Sequence, residues 1–568
     1  MHALNQPIDP RSLFPVRYRD SPFLDLCGRA FGTLYQLMPE GDLPRVPSPR
    51  GPRQTQDDLL KRYGQLPGTG TADPLQLVEE MTGDFLAGAV NWRCPELQYN
   101  LGAAVNVVAA AMYAVSLDVN VYLINDGLAG NAVAAEAAVS SILADLTSID
   151  PQQAYGLFTF GGTGTMAYGI KSGLRKAFPD SARTGVPSSA RVIITEDAHF
   201  SHATAADWLG LGTEQLVVLP AGGDRRTDMD QVEVLLRAEL DAGHQIATII
   251  VNGGTTYDHA IDDIAAMACL RDRLVAEYCL HYRPHLHVDS VVGWAWLMLT
   301  DEALGELEPE SAAVAALREQ QRRIQGLRFA DSWGVDFHKG VGVCPIDCSF
   351  VQFNDRIDCA VLRKGGPSGP ELHQLAQDFS AVSPVDYTLE TSRAGGKAIA
   401  ALASLHSLGH QGYGTILTRL IDAAFHFRTA IGRQGGMTVL NPHALGYQTM
   451  VRLHRPDRTA ADWRHEILDP SPEMADAVRD GNSYLRAFFE WDQKTRMDRN
   501  TGGVVYSFSS RYVTTAGGVP ISGLKFYPTS PLIDREHMKA AIDLLAERKA
   551  VFDRAVWRAC STRPRPSS

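Results

Sequence analysis

Between residues 150 and 355, short β-branched runs alternate with stretches whose apolar residues recur at helical spacing. The runs are 191–195, 216–219, 247–251, 286–288, 327–330 and 349–353, and helical spacing fills 230–242 and 262–278. Strand–helix alternation over some 200 residues predicts an α/β domain, a mainly parallel sheet with helices on both faces. In such sheets ligands gather at the carboxyl ends of the strands. On the N-terminal side, residues 1 to about 75 read as irregular arms, with Pro-rich 43–51 and Gly/Thr-rich 65–71. Helical patterns follow from 73 to 146, with a break at 126–130 and an Ala-rich final stretch. The most apolar segment, 101–124, carries Asn106, Ser116, Asp118 and Asn120, too many polar residues for a bilayer span; it predicts a buried helix leading into a strand or loop. Beyond the alternating region the texture changes over 356–393; within it, 356–385 has little periodicity around Gly365, Gly366, Pro367, Gly369 and Pro370 and predicts a mobile loop. Helical texture returns at 395–433, and the remainder mixes short strands and helices. The division is 1–149, an N-terminal arm and helical segment; 150–395, a large α/β domain; and 396–568, a smaller α+β domain.

Composition narrows the function. The chain has 568 residues, 45% hydrophobic and 21% charged, as ordinary globular proteins do. A net charge of −12 argues against a protein that works by neutralising phosphate backbones, so no nucleic-acid partner is expected. The eight cysteines are sparse, and Cys344-x3-Cys348 lacks a second pair at ligand spacing, so neither a disulfide framework nor a metal site is expected. Residues 1–15 lack the apolar core of an export signal, and no membrane segment stands out; the expected compartment is the cytoplasm.

Four segments carry candidate chemistry. In Asp331-Ser332-Trp333-Gly334-Val335-Asp336-Phe337-His338-Lys339 a lysine stands beside His338, Asp336 and Ser332. A lysine becomes a nucleophile when its surroundings lower its pKa, although a single lysine is more often a solvated loop residue. In Leu286-His287-Val288-Asp289-Ser290 an aspartate ends an apolar run, where it either caps a helix or sits behind a protonated ring nitrogen. Thr159-Phe160-Gly161-Gly162-Thr163-Gly164-Thr165 precedes a helical pattern, a plain turn or a phosphate cradle at a helix N-terminus. His199 follows the run 191–195, either as a core histidine or as a ring lying over a planar ligand.

Together and in this order, the four segments resemble the group II pyridoxal-phosphate-dependent amino-acid decarboxylases, over about residues 90–420 with a weaker trace to about 550. Residues 387–396 resemble the segment after the family's catalytic loop, with a lean to bacterial tyrosine decarboxylases. The resemblance implies the aminotransferase-like fold type I, with a seven-stranded sheet in the large cofactor-binding domain. It implies pyridoxal 5'-phosphate as cofactor, a small amino-acid substrate and a homodimer with the sites at its interface. It assigns Lys339 to the aldehyde of the cofactor, Asp289 to its ring nitrogen and His199 to its ring face. Gly162, Thr163 and His338 hold the phosphate, with Thr256 nearby. Decarboxylation to amine and CO2 is the implied reaction. Three departures stand out. Gly164, Thr165 and Met166 replace a Glu-Ala-Asn, and Ser290-Val291 replaces Ala-Ala. The span 356–385, where the family carries a tyrosine that protonates Cα, has none. His373 is then the candidate acid, with Phe379 the other nearby ring. In the family a loop tyrosine replaced by phenylalanine goes with oxidative decarboxylation to an aldehyde, so that reaction, or another pyridoxal-phosphate lyase or transferase reaction, stays open, as does a cofactor-free binding protein. Trp92, Tyr99, Trp294 and Trp296 lie near the family's pocket segments, giving a lean to an aromatic substrate against a plain core role. Arg393 meets either a substrate carboxylate or one of the protein's own.

Overall fold

The computed structural model describes residues 3–4, 13–15, 17–37, 55–66, 71–86, 89, 92–364, 379–459, 462–499 and 504–557. Its centre is a seven-stranded sheet. In chain order the strands are β4 (Tyr155–Thr159), β5 (Ala190–Thr195), β6 (Leu216–Leu219), β7 (Gln245–Asn252), β8 (His285–Asp289), β9 (Ser332–Asp336) and β10 (Ser349–Phe353), arranged β4-β10-β9-β8-β7-β5-β6. β10 runs antiparallel to both neighbours, and every other pair is parallel. Six strands therefore point their carboxyl ends to one edge. Helices such as α1 (Ala132–Leu146) and α2 (Gly162–Ala177) pack on the sheet, and α2 crosses β7, β8 and β9. Both faces are covered, so β4, β8, β9 and β10 are buried throughout.

A second sheet orders β11 (Met437–Val439), β12 (Thr449–Leu453), β14 (Gly523–Phe526) and β13 (Val505–Ser509), and ends with β3 (Leu97–Gln98), which pairs parallel to β13. A long helix, α3 (Gly396–Ile431), joins the two regions; its ladder is broken at Gly409, where φ is +56°.

Several expectations are corrected. Residues 327–330 are not a strand: Gln325–Phe329 forms a 3₁₀ turn, and the strand begins at Ser332. A four-residue apolar run suits either structure. The end of the turn is set by Asp331, whose N–H donates to Leu286 O and whose carboxylate is held by Arg271, Arg283 and Lys176. Residues 155–159 form a strand that the pattern did not reveal. The arms contain the helices Phe23–Leu37 and Gln56–Tyr63. The break at 126–130 holds a short helix, while 87–106 is the larger interruption in the helical pattern, since no helix lies there among the described residues. Within 101–124 only Val107–Val119 is helical, and it is not buried: Val107, Val108, Met112, Val115, Leu117 and Val119 are exposed. Most of the predicted loop, 365–378, lies outside the described residues; before it, Arg356–Ala360 is helical, and Cys359, Val361 and Leu362 are buried.

Candidate active site

The ends of five strands, β4, β5, β7, β8 and β9, and the N-terminus of α2 converge on a cavity of about 540 Å³, which opens into a broader cleft of about 2690 Å³. The inner cavity is lined by Gly162, Thr163, His199, Thr256, Asp289 and Lys339, six positions that the sequence singled out.

Lys339 stands three residues beyond β9. Its Nζ is 2.7 Å from Asp336 Oδ2, and although burial disfavours the ammonium, the Asp336 charge wins and raises its pKa. The segment is pinned from above, because Gly340 N–H donates to Leu101 O. Gly340 has φ +54°, and a side chain there would run into the Tyr447 hydroxyl, so only glycine suits this turn.

Asp289 ends β8. Its Oδ2 is 3.0 Å from His202 Nε2, and its Oδ1 is buried without a partner. Burial alone would raise the carboxyl pKa; the hydrogen bond and charge of His202, with His199 and Lys339, hold it well below the usual range. His202 lies in the helix Ser201–Trp208, one turn beyond His199. The sequence reading missed it; the His199-x2-His202 spacing was its one trace.

His199 bonds Ser201 Oγ through Nδ1 at 2.8 Å, and burial lowers its pKa. The turn before α2 is made by Gly161 at φ +85°, which starts the helix at Gly162 with its first N–H groups free of intrahelical partners. Thr256 lies beyond β7, after Gly254 at φ +138°.

Other candidates fall elsewhere. His338 lines the outer cleft, not the inner cavity, and its Nδ1 is 3.3 Å from Cys348 O. His373 lies outside the described residues. Phe379 packs against Tyr155 and Tyr387, away from the cleft. Arg393 is buried in a two-pronged pair with Glu136, at 2.6 and 3.0 Å, which settles it as a structural partner. Trp294 and Trp296 are core; Trp92 lines the cleft, with Tyr99 packed near it. Further cleft residues come from distant segments: Asp197 paired with Arg225, Asp258 bonded by Tyr512 at 2.9 Å, and Lys525.

No family model matches the chain. An L-tyrosine decarboxylase of Enterococcus faecium is 26% identical over 329 residues, 54% of this chain and 51% of that protein. The chain thus spans about half the length of this curated relative. Among solved structures, Oryza sativa TDC with PLP and tryptamine superposes with TM-score 0.71 at 16% identity, covering 94% of this chain and 99% of that one. Rhodiola rosea 4-hydroxyphenylacetaldehyde synthase superposes with TM-score 0.69 at 14% identity, covering 95% and 99%. The chain thus resembles the pyridoxal-phosphate-dependent amino-acid decarboxylases in sequence and shares the fold type I architecture of their solved structures.

Proposed function

We propose that this protein is a pyridoxal-phosphate-dependent carboxy-lyase that removes the α-carboxylate of an L-amino acid, with an aromatic side chain favoured, and releases the amine. One observation carries the reading: Asp289 Oδ1, buried and without a partner, borders the same cavity as Lys339. A buried lone carboxylate oxygen is costly unless a cation meets it. A protonated pyridine nitrogen fits that need, and His202 fixes the other oxygen. The free N–H groups at Gly162 and Thr163, with Thr256 nearby, suit a phosphate. His199 offers a flat ring over the cavity, and His338 adds a second imidazole at the cleft wall.

When bound, pyridoxal phosphate supplies an electron sink for the pair left as the carboxylate departs. The rest belongs to the chain. Asp289 keeps a proton on the ring nitrogen. Asp336 is placed to take the proton that Lys339 Nζ must lose before it attacks an aldehyde carbon. Leu101, Val291 and Val292 give the inner cavity an apolar part of its wall. His373 enters as the loop's own candidate proton donor.

The reading includes a homodimer in a reducing compartment, the cytoplasm. Exposed Leu24, Phe31 and Tyr35 on Phe23–Leu37, with the bare face of Val107–Val119, support a second copy as cover, and the described cysteines are free thiols. No helix among the described residues is long and apolar enough to cross a membrane.

Incubation with protein and non-protein amino acids, read by CO2 release and mass spectrometry of products, tests the reaction. Borohydride reduction tests the site: the pyridoxyl group belongs on Lys339 and is lost in Lys339→Ala, and a label on another lysine would refute the assignment. A second reading, aldehyde with ammonia and peroxide, is favoured by the missing tyrosine of 356–385. Oxygen uptake separates the two.

A further inference from the structure

Lys525 sits in β14, between Leu524 and Phe526. Those neighbours are fully buried in the core, and the alternation of the strand turns Lys525 to the opposite face, into the cleft. The residue is 6% exposed. Its Nζ is 3.3 Å from Asn100 Oδ1 and lies 5.8 and 5.7 Å from the ring centres of Tyr257 and Tyr527. Among the described residues no carboxylate lies within ion-pair distance of it. The charged group that faces it is Lys339, close enough for the two ammonium charges to repel; Asp258 and Arg511 stand elsewhere on the cleft wall. A buried lysine without a carboxylate partner is an expensive structural choice, and this one opens on the cleft that Lys339 also lines.

Resting on the decarboxylase reading, we propose that Lys525 is the acid that delivers a proton to the substrate Cα. The bond from Cα to the carboxylate breaks, and CO2 leaves without the electron pair. The pair, returned to Cα, takes a proton from Lys525 Nζ. Nζ becomes a neutral amine and regains its proton from cleft water. Burial and the Lys339 charge bring the Lys525 pKa down to about 8, so at neutral pH it is both charged and a willing donor. The cleft tyrosines are weaker candidates: Tyr512 donates to Asp258 and has its pKa pushed up by burial, and Tyr257 shares its hydroxyl with Ser509 at 2.9 Å.

Two variants and one labelling measurement test this. Lys525→Met removes the proton, while Lys525→Arg keeps the charge but cannot give it up near neutral pH. Both should lower amine formation by about a hundredfold or more, while CO2 is still released and the electron pair left at Cα is taken by dissolved dioxygen, so that with water the products become aldehyde, ammonia and peroxide. In Lys525→Arg the KM should stay within about threefold. A residue that merely anchored a substrate carboxylate would instead be rescued by arginine and would show its loss in KM; that outcome overturns the proposal. So does full amine formation in both variants with its loss in His373→Phe. Independently of turnover, competitive acylation of the cofactor-free protein, read by mass spectrometry across pH, should give Lys525 a midpoint near 8. An ordinary midpoint near 10.4 would refute it even if CO2 is released. If no amino acid loses CO2 while the midpoint is near 8, the decarboxylase reading has failed and the acid role falls with it.

Discussion

A single hydrogen bond decides what Asp289 can do. His202 Nε2, at 3.0 Å, is the strongest influence opposing the effect of burial on that carboxylate. His202→Leu should let its pKa rise, so that activity on the acid side fades at a higher pH than in the parent; a pH–rate profile checks this, and an unmoved acid limb would leave His202 as packing only. Asp289→Asn should keep the cofactor bound while cutting turnover by orders of magnitude, because an amide does not hold the ring proton. Lys525 carries a stability cost of the opposite kind. Its ammonium is disfavoured in the fold, so below about pH 8 both folded and unfolded states hold the proton and the folded state bears the full cost. The cost, up to roughly 3 kcal/mol, fades as pH rises from about 8 to 10.4. Lys525→Met should therefore unfold at higher denaturant at pH 7, with the gain shrinking toward pH 10. Lys339, Asp289 and His199 were legible because each ends or follows an apolar run. His202 was not, since its partner lies 87 residues away. Lys525 left only one mark, a charge inside the apolar run Leu524–Phe526 that local pattern does not explain.

Elements read well where periodicity and burial agree. β10 matches its apolar run at both ends, and Met229–Asp241 departs from its pattern by a residue. They read poorly where a neighbour sets the boundary. Residues 327–330 have the composition of a strand, yet the ion pairs of Asp331 with Arg271, Arg283 and Lys176 fix where the extended chain begins. The helix Val107–Val119 is apolar all round, which sequence alone reads as burial, whereas the structure leaves one side bare. That side is the element-scale test of the dimer. If the proposed dimer forms, Val108→Glu with Val115→Glu, both exposed, should leave the fold intact and give a monomer in light scattering, with activity falling in parallel. Arg393→Ala should act through stability alone, by about 3–5 kcal/mol, because it strands the buried Glu136 carboxylate. A denaturation midpoint unchanged from the parent would contradict this.

For the whole molecule, acid is the weak side. His259 and His287 are fully buried, and burial drives both pKa values down to about 3. Unfolded, each titrates near 6.5, so between about pH 6.5 and 3 the unfolded chain holds protons that the folded one refuses. Stability should fall with pH over that window, by up to about 1.4 kcal/mol per pH unit for each histidine. Urea midpoints measured from pH 7.5 downward would check it, and a flat profile to pH 5 would exclude it. The α/β class and five of the seven strands of the large sheet were legible from alternation; 155–159 was missed and 332–336 was placed too early, at 327–330. The part that Leu101 plays above Lys339 was not, because residues 92–106 are held by contacts remote in the chain, to 340–343 and to 527–538.

Those late contacts carry a kinetic consequence. Gln98 donates to Met538, 440 residues away, and Ser530 donates to Arg93 across 437. Tyr527 N–H meets Gln98 O, and β3 is the parallel neighbour of β13. Closing loops of that length is slow, and parallel pairing between remote segments is among the slowest steps a chain makes. Leu101, which roofs Lys339, is threaded through that closure. On refolding, helical signal should return well before the yellow colour of the bound cofactor, and a nascent chain halted before residue 523 should hold its large sheet yet take up no pyridoxal phosphate.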